Sequence, residues 1–247
     1  MELFYTPTEQ IHPATNQVSI EGEEFHHLVR VLRKREGELI LVTDGNGLRC
    51  EVRIASISKH DVQGEIISTT TIEPPSTRVT VALSLLKNPQ RFEWFLEKAT
   101  ELGISTIIPM VTARTVVQPS NDRVHNKLKR WRTIVLSAAR QSKRYYLPQV
   151  VEPQRFSDVL NRSGYDERCM PFEAATSSPT LHCAGKNILF LIGGEGGFSA
   201  EEVQQAEATG CRTMSLGTTI LRAETAALFA VAYVRSQLLT EAPSAWL

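Results

Sequence analysis

Residues 189–202 read LFLIGGEGGFSAEE. The run up to Ile192 is continuously apolar, the pattern of a strand covered on both faces. Gly193, Gly194, Gly196 and Gly197 follow, interrupted by Glu195, and Ser199 and Glu202 then form the S-x-x-E capping box that opens a helix. Strand, glycine loop and helix in that order belong to an α/β domain. Four glycines at the carboxyl end of a strand let backbone approach a ligand at the edge where open parallel sheets bind ligands. The spacing fits neither G-x-G-x-x-G nor the P-loop, which requires Lys and Ser or Thr after its last glycine. A tight turn without a ligand is the competing reading of a bare glycine loop.

The flanking chain repeats the α/β rhythm. Val79–Leu86 is another continuous apolar run. Asn88-Pro89 is an N-cap followed by Pro at the first helical position, and Phe92, Phe95, Leu96, Ala99 and Leu102 recur at helical spacing before Gly103. Ile104–Pro109 reads as a strand, and Leu128, Trp131, Val135 and Ala138 mark the apolar stripe of a basic helix. Strands are expected near Arg168–Met170, over Ile188–Ile192 and over Thr213–Leu216, with a nearly apolar helix over Glu224–Leu239. Strands alternating with helices predict a parallel sheet.

The first seventy residues differ. Segments 37–43 and 48–54 flank Asp44-Gly45-Asn46-Gly47, a hairpin signal, and an alternating stretch runs from Val62 to Thr70. One helix, EEFHHLVRVLRKREG, interrupts them, with Phe25, Leu28 and Leu32 on one face and Gly37 beyond its end. The Thr- and Pro-rich stretch 69–77 reads as a linker. The expected domains are a small β unit over 1–72 and an α/β unit over 73–247.

Of the 247 residues, 42% are hydrophobic and 22% charged, which excludes a disordered or low-complexity chain. No apolar run spans a bilayer and the first residues lack a signal-peptide pattern, so a cytoplasmic protein with no membrane association is expected. Cys50, Cys169, Cys183 and Cys211 are widely spaced and expected as buried thiols, with no metal site.

Zero formal net charge hides a pattern. Residues 1–72 balance at −4, 73–144 at +8 and 145–247 at −4. The excess sits in Arg123 to Arg144, where eight of 22 residues are Lys or Arg and none is acidic; Arg30, Arg33, Lys34 and Arg35 form a smaller cluster. Local basic patches are what a phosphate backbone feels. RNA contacts are therefore expected from Arg30, Arg33 and Lys34 and from Arg132, Arg140 and Arg144, against the plainer reading of a solvated basic helix face.

A second ligand-facing stretch is SLGTTILRAETA (215–226), where a short strand enters a loop at Gly217 and Arg222 and Glu224 stand at the mouth of the apolar helix. Glu224 suits a helix N-terminus electrostatically, while Arg222 is a fixed cation beside two ligand-type loops.

The strand–GxEGGFS–E pattern followed by LG…ILRAETA resembles the 16S ribosomal RNA uridine-N3 methyltransferases, within the SPOUT methyltransferases. HHLVRVLR (26–33), LLK (85–87), EKATELGI…IIP (97–109) and W…A..QS.R…P (131–148) extend the resemblance over nearly the whole chain. Gly194 and Arg140 depart from it, standing where Pro and Glu are usual. The resemblance implies an N-terminal PUA-like β-barrel, a C-terminal α/β domain with a deep trefoil knot, S-adenosylmethionine bound within the knot, and a homodimer acting on 16S rRNA or the 30S subunit. It places the cofactor on Leu191, Ile192, Gly193, Gly194, Gly196, Gly197, Leu216, Gly217, Ile220, Leu221 and Arg222. Methylation at N3 requires loss of a proton. Arg222 is the candidate stabiliser of the resulting anion and Glu224 a candidate base, also readable as a helix cap. Two rival classes remain: a non-catalytic RNA-binding protein, which needs no glycine-lined pocket, and a metabolic nucleotide enzyme, which leaves the basic patches idle.

Overall fold

A computed structural model describes residues 1–116, 121–176 and 180–241, with side chains omitted for 121–123 and 241. Arg123, the first residue of the basic stretch, thus has its side chain outside the described residues. The chain divides into two compact units: Met1–Pro74 with Ala139–Leu147, and Pro75–Ala138 with Pro148–Leu247. The segment 139–147, which the sequence reading placed in the second domain, belongs to the first unit.

In the first unit, β1 (Leu3–Tyr5), β2 (Ile11–His12), β3 (Gln17–Glu21), β4 (Leu39–Thr43), β5 (Leu48–Ile57) and β6 (Asp61–Thr71) form one sheet in the order β1-β4-β5-β6-β3-β2. Only the β1–β4 pair is parallel. Alternate residues of the strands, among them Val52, Ile54, Val62 and Ile66, close on Phe4, Phe25 and Leu28 to make the core. β1, β2 and β3 escaped the sequence reading because they are short and weakly patterned, and β6 runs to Thr71, into the expected linker. The expected helix over 23–37 is shorter. α1 (Gly22–His26) passes into a π-helical turn over His27–Val31, and Arg33 ends it in the left-handed region at φ 53.

The β4–β5 connection is the hairpin that Asp44-Gly45-Asn46-Gly47 foretold. Asp44 Oδ1 accepts the N–H groups of Asn46 (2.8 Å) and Leu48 (3.2 Å). Gly47 has φ 100, and a Cβ there would lie 2.3 Å from the Tyr146 hydroxyl oxygen, so the close approach of segment 139–147 requires glycine. Glu24 fixes the same segment. Its carboxylate is mostly buried, accepts from Arg140 Nη1 at 2.8 Å and from the Tyr5 N–H at 3.3 Å. Burial raises the Glu24 pKa above the usual carboxylate range, and the Arg140 charge pulls it back.

The second unit holds a wholly parallel sheet. β7 (Arg78–Ser84), α2 (Pro89–Glu101), β8 (Thr106–Val111), α3 (Asn121–Gln141), β9 (Gln149–Val150), β10 (Gln154–Arg155), α4 (Phe156–Leu160), β11 (Glu167–Pro171), β12 (Asn187–Ile192), α5 (Ala200–Ala208), β13 (Arg212–Met214) and α6 (Ala223–Glu241) follow in sequence. The strand order is β10-β8-β7-β12-β11-β13, with β9 also on β8. Alternation along β12 serves two cores: Ile188, Phe190 and Ile192 meet α2, α3 and α6, while Leu189 and Leu191 meet α4 and α5. That is why its run is apolar at every position. The four cysteines are free and buried, and burial pushes the Cys169 and Cys211 thiols up to about 12. Among the described residues no helix is long and apolar enough to cross a membrane.

Removing Arg140 leaves Glu24 buried and charged, so Arg140→Ala is expected to cost about 3 kcal/mol near neutrality. The native Glu24 pKa is raised, so the native chain holds this proton more tightly than the unfolded chain, and ionised Glu24 weighs against the fold as pH rises. Without Arg140 that weight grows, and it vanishes once the carboxyl is protonated. Urea unfolding of the variant and the parent near pH 7 and near pH 5 should show the cost shrinking toward acid; a pH-independent cost would contradict this electrostatic account.

Candidate functional site

Parallel pairing brings three strand ends to one edge of the second unit's sheet. β11 pairs with both β12 and β13, so the chain leaving each strand emerges beside the next. Pro171, Phe172 and Glu173 follow from β11, Gly193–Phe198 from β12, and Ser215–Leu221 from β13. These segments, with Ala223 and Ala226 of α6, line a cavity of about 150 Å³. Ile192, Leu216, Ile220, Leu221 and the alanines give it an apolar wall, and Glu173, Ser215, Thr218 and Thr219 a polar rim. Ile220 is 91% exposed, an apolar side chain left bare beside a cavity.

The glycine loop is shaped by its own backbone. The Gly197 N–H donates to the Gly194 carbonyl at 3.0 Å, and Gly197 has φ +64. A Cβ on Gly193 would sit 3.0 Å from the Gly197 carbonyl carbon, a tight contact that the turn must yield slightly to admit.

Neighbouring elements clamp the loop. Arg114, in the turn after β8, donates from Nη1 to the Gly196 carbonyl at 2.8 Å. The Lys87 N–H donates to Glu195 Oε1 at 3.1 Å. Behind the loop, Ser84 Oγ lies 2.8 Å from Thr115 Oγ1. The buried Glu202 carboxylate joins two elements, accepting the Ala113 N–H at 2.8 Å and the Ser199 N–H at 2.9 Å, while Ser199 Oγ accepts the Glu202 N–H at 3.2 Å. The capping box legible in the sequence thus also ties the β8 turn to α5.

Of the residues expected at the cofactor, Ile192, Gly193, Gly194, Gly197, Leu216, Gly217, Ile220 and Leu221 line the cavity. Leu191 does not: strand alternation buries it fully against α4 and α5. Gly196 stands outside the lining under Arg114. Arg222 is exposed just past the lining loop, and its carbonyl accepts the Ala226 N–H as α6 begins. Glu224 is buried in the first turn of α6 and faces Arg91 of α2, whose Nε lies 3.6 Å from Oε1. Phe172, Glu173 and Arg114 were missed by the sequence reading. The strand before Glu173 was legible, and following its carboxyl end to the same sheet edge would have found it.

The residues expected to meet RNA divide by their partners. Arg30 and Arg33 are exposed. Lys34 instead pairs with Glu2 and Glu38, each at 3.0 Å, because the chain after the π-helical turn brings it onto both carboxylates. Arg140 is taken by Glu24, Arg132 reaches the Val150 carbonyl at 3.4 Å, and the Arg144 carbonyl accepts the Tyr5 hydroxyl.

Comparison with known proteins gives these loops a family. Residues 73–235 match the RNA methyltransferase domain model and residues 20–67 the RNA methyltransferase PUA domain model. The ribosomal RNA small subunit methyltransferase E of Bacillus subtilis is 31% identical over 95% of each chain. That of Synechocystis sp. is 34% identical over 93% of this chain and 76% of its own. The crystal structure of the same enzyme from Neisseria gonorrhoeae, bound to S-adenosyl methionine, superposes with a TM-score of 0.86 at 30% identity, covering 96% of this chain and 97% of that one. The fold is that of a two-domain RNA methyltransferase. Within that class, the chain belongs to the ribosomal RNA small subunit methyltransferase E family.

Glu202→Ala removes the carboxylate that accepts two backbone N–H groups and is expected to cost about 2 kcal/mol, the scale of one hydrogen bond to a charged group, since the part-buried Ala113 and Ser199 N–H groups can turn to water. Glu202→Gln keeps one carbonyl acceptor and should lose about half as much. Denaturant unfolding of the two variants checks the order; equal losses would show that packing rather than hydrogen bonding carries the effect.

Proposed function

We propose that the protein transfers a methyl group from S-adenosylmethionine to N3 of a uridine in 16S ribosomal RNA, acting in the cytoplasm as a homodimer. The observation that carries this reading is the cavity at the carboxyl edge of the parallel sheet, made of the loops by which the sequence resembles the family. The residues present fit the cofactor. Leu216, Ile220 and Leu221 offer an apolar surface for adenine, the glycine turn offers bare backbone, and the Glu173 carboxylate offers a counter-charge to a cationic ligand. S-adenosylmethionine, when bound, supplies an already activated methyl group on its sulfonium. The family's trefoil knot is part of the proposal, supported by the central position of β12 between β7 and β11 and by the return of α6 onto β7 and β12.

The chain's own residues then have to position the uracil and hold its negative charge once N3 loses its proton. Arg222, exposed at the end of the lining loop, is assigned to that charge, since a guanidinium presents several donors in a planar fork. Glu224 is the candidate proton acceptor. Arg91 now holds its carboxylate, so receiving a proton requires that pair to open. Phosphate contacts are assigned to Arg30 and Arg33, with Lys34, Arg132, Arg140 and Arg144 contributing where their present partners release them.

Incubation of the protein with labelled S-adenosylmethionine and either naked 16S rRNA or 30S subunits should place label on N3 of a uridine. No transfer to either substrate would contradict the reading. Arg222→Ala should lower the single-turnover rate about 10²–10³-fold at saturating cofactor and RNA, and Arg222→Lys should restore part of it. A near-normal rate in folded Arg222→Ala would remove Arg222 from the chemistry.

A further inference from the structure

The first unit carries a second concave site, wholly its own. Pairing of β3 with β6 sets Glu21 opposite Asp61, which brings the start of α1 against the β5–β6 turn. Gly22, Phe25, His26 and Arg30 from the helical side, and Lys59 and His60 from the turn, line a cavity of about 360 Å³. Arg30 and Lys59 bring charge to it from two sides, and the buried Phe25 is part of the lining.

Each wall is built rather than loose. In the turn, the Ser58 N–H donates to the Asp61 carbonyl at 2.9 Å, and Ser58 Oγ accepts the N–H groups of His60 and Asp61, each at 3.1 Å. Lys59 and His60 therefore stand at the tip of an ordered turn. On the other side, His26 ends α1 and Arg30 follows four residues later in the π-helical turn, a local geometry often found at functional sites.

The charges here differ from others in the unit. Lys34, Arg53 and Arg140 are each paired with carboxylates. Arg30, Lys59, His26 and His60 make no ion pair among the described residues. The nearby Asp61 carboxylate does not line the cavity and is held by Ser58 Oγ and Gln63. An unpaired arginine and lysine with two imidazoles around an open concavity suit an anion, and the space beside them admits the ribose attached to it.

We propose that this cavity is an RNA phosphodiester site, engaging the backbone of the substrate, with Lys59 and His60 as contact residues additional to Arg30. This rests on the assignment of ribosomal RNA as substrate. Neutralising a phosphate releases counterions, so the site contributes to the salt dependence of binding.

The test measures affinity for naked 16S rRNA across a salt series, with melting temperature reporting that each variant is folded. The double variant Lys59→Ala/His60→Ala should bind about tenfold more weakly near physiological salt, and its slope of log affinity against log salt should shrink by about one. Lys59→Glu should bind more weakly than Lys59→Ala. Arg53→Ala, which removes a paired cation from the same sheet, should match the parent protein. Parent-like affinity and slope in the double variant would overturn the proposal, as would an equal loss in Arg53→Ala. A loss seen with 30S subunits but not with naked rRNA would also overturn it, assigning the surface to a ribosomal protein. If the parent protein binds neither naked 16S rRNA nor 30S subunits, the substrate assignment falls and the site falls with it; parent binding with an indifferent double variant removes the site alone.

Discussion

Parallel pairing is the constraint on which the cavity at the sheet edge depends. A strand in a parallel sheet cannot return by a hairpin, so each crossover begins at the same edge. In this protein β11, β12 and β13 all deliver their carboxyl ends there, and three loops that are distant in sequence become neighbours. The glycine turn supplies bare backbone, the Ser215–Leu221 loop both apolar and hydroxyl side chains, and Glu173 a carboxylate. Each loop alone is an ordinary turn. Their juxtaposition gives the sheet edge its cavity.

The loops are held from behind by polar contacts as well as by the packing of Phe198 and Leu216. Glu202 satisfies backbone donors on two elements, Arg114 spans the glycine turn, and a cluster of hydroxyls on Ser84, Thr112 and Thr115 backs it. Such a shell keeps a glycine-rich segment in one conformation, which glycine's own backbone freedom would otherwise oppose. Preorganised donors and acceptors then cost little reorganisation when a ligand arrives. The first unit uses the same device elsewhere: Glu24 and Arg140 secure segment 139–147 with a buried ion pair.

Much of this was legible in the sequence, for identifiable reasons. Continuous apolar runs at 79–86 and 188–192 marked sheet interior, Asn88-Pro89 and Ser199-x-x-Glu202 marked helix starts, and Asp44–Gly47 marked the hairpin. The two stretches that carry the family resemblance are two of the three segments lining the cavity. The third, Pro171–Glu173, has no glycine signature and becomes visible only when β11 is seen to lie between β12 and β13. The Leu191 side chain turns to α4 and α5 rather than to the cavity, and an apolar strand does not announce which face turns to which layer. Lys34 and Arg140 read as free cations, since a sequence shows charge but not the Glu2, Glu38 and Glu24 that fold onto them. The π-helical turn after His26 leaves no periodic signal of its own, so the shortened helix was also out of reach.

Backbone hydrogen exchange with and without S-adenosylmethionine addresses the central claim most directly, because it locates the ligand without relying on turnover. Slowed exchange is expected in three separated stretches, Phe172–Glu173, Gly193–Phe198 and Ser215–Leu221, with the first unit's sheet unaffected. Protection confined to the first unit, or absent from all three loops under saturating cofactor, would contradict the assignment of the parallel-sheet edge as the cofactor site.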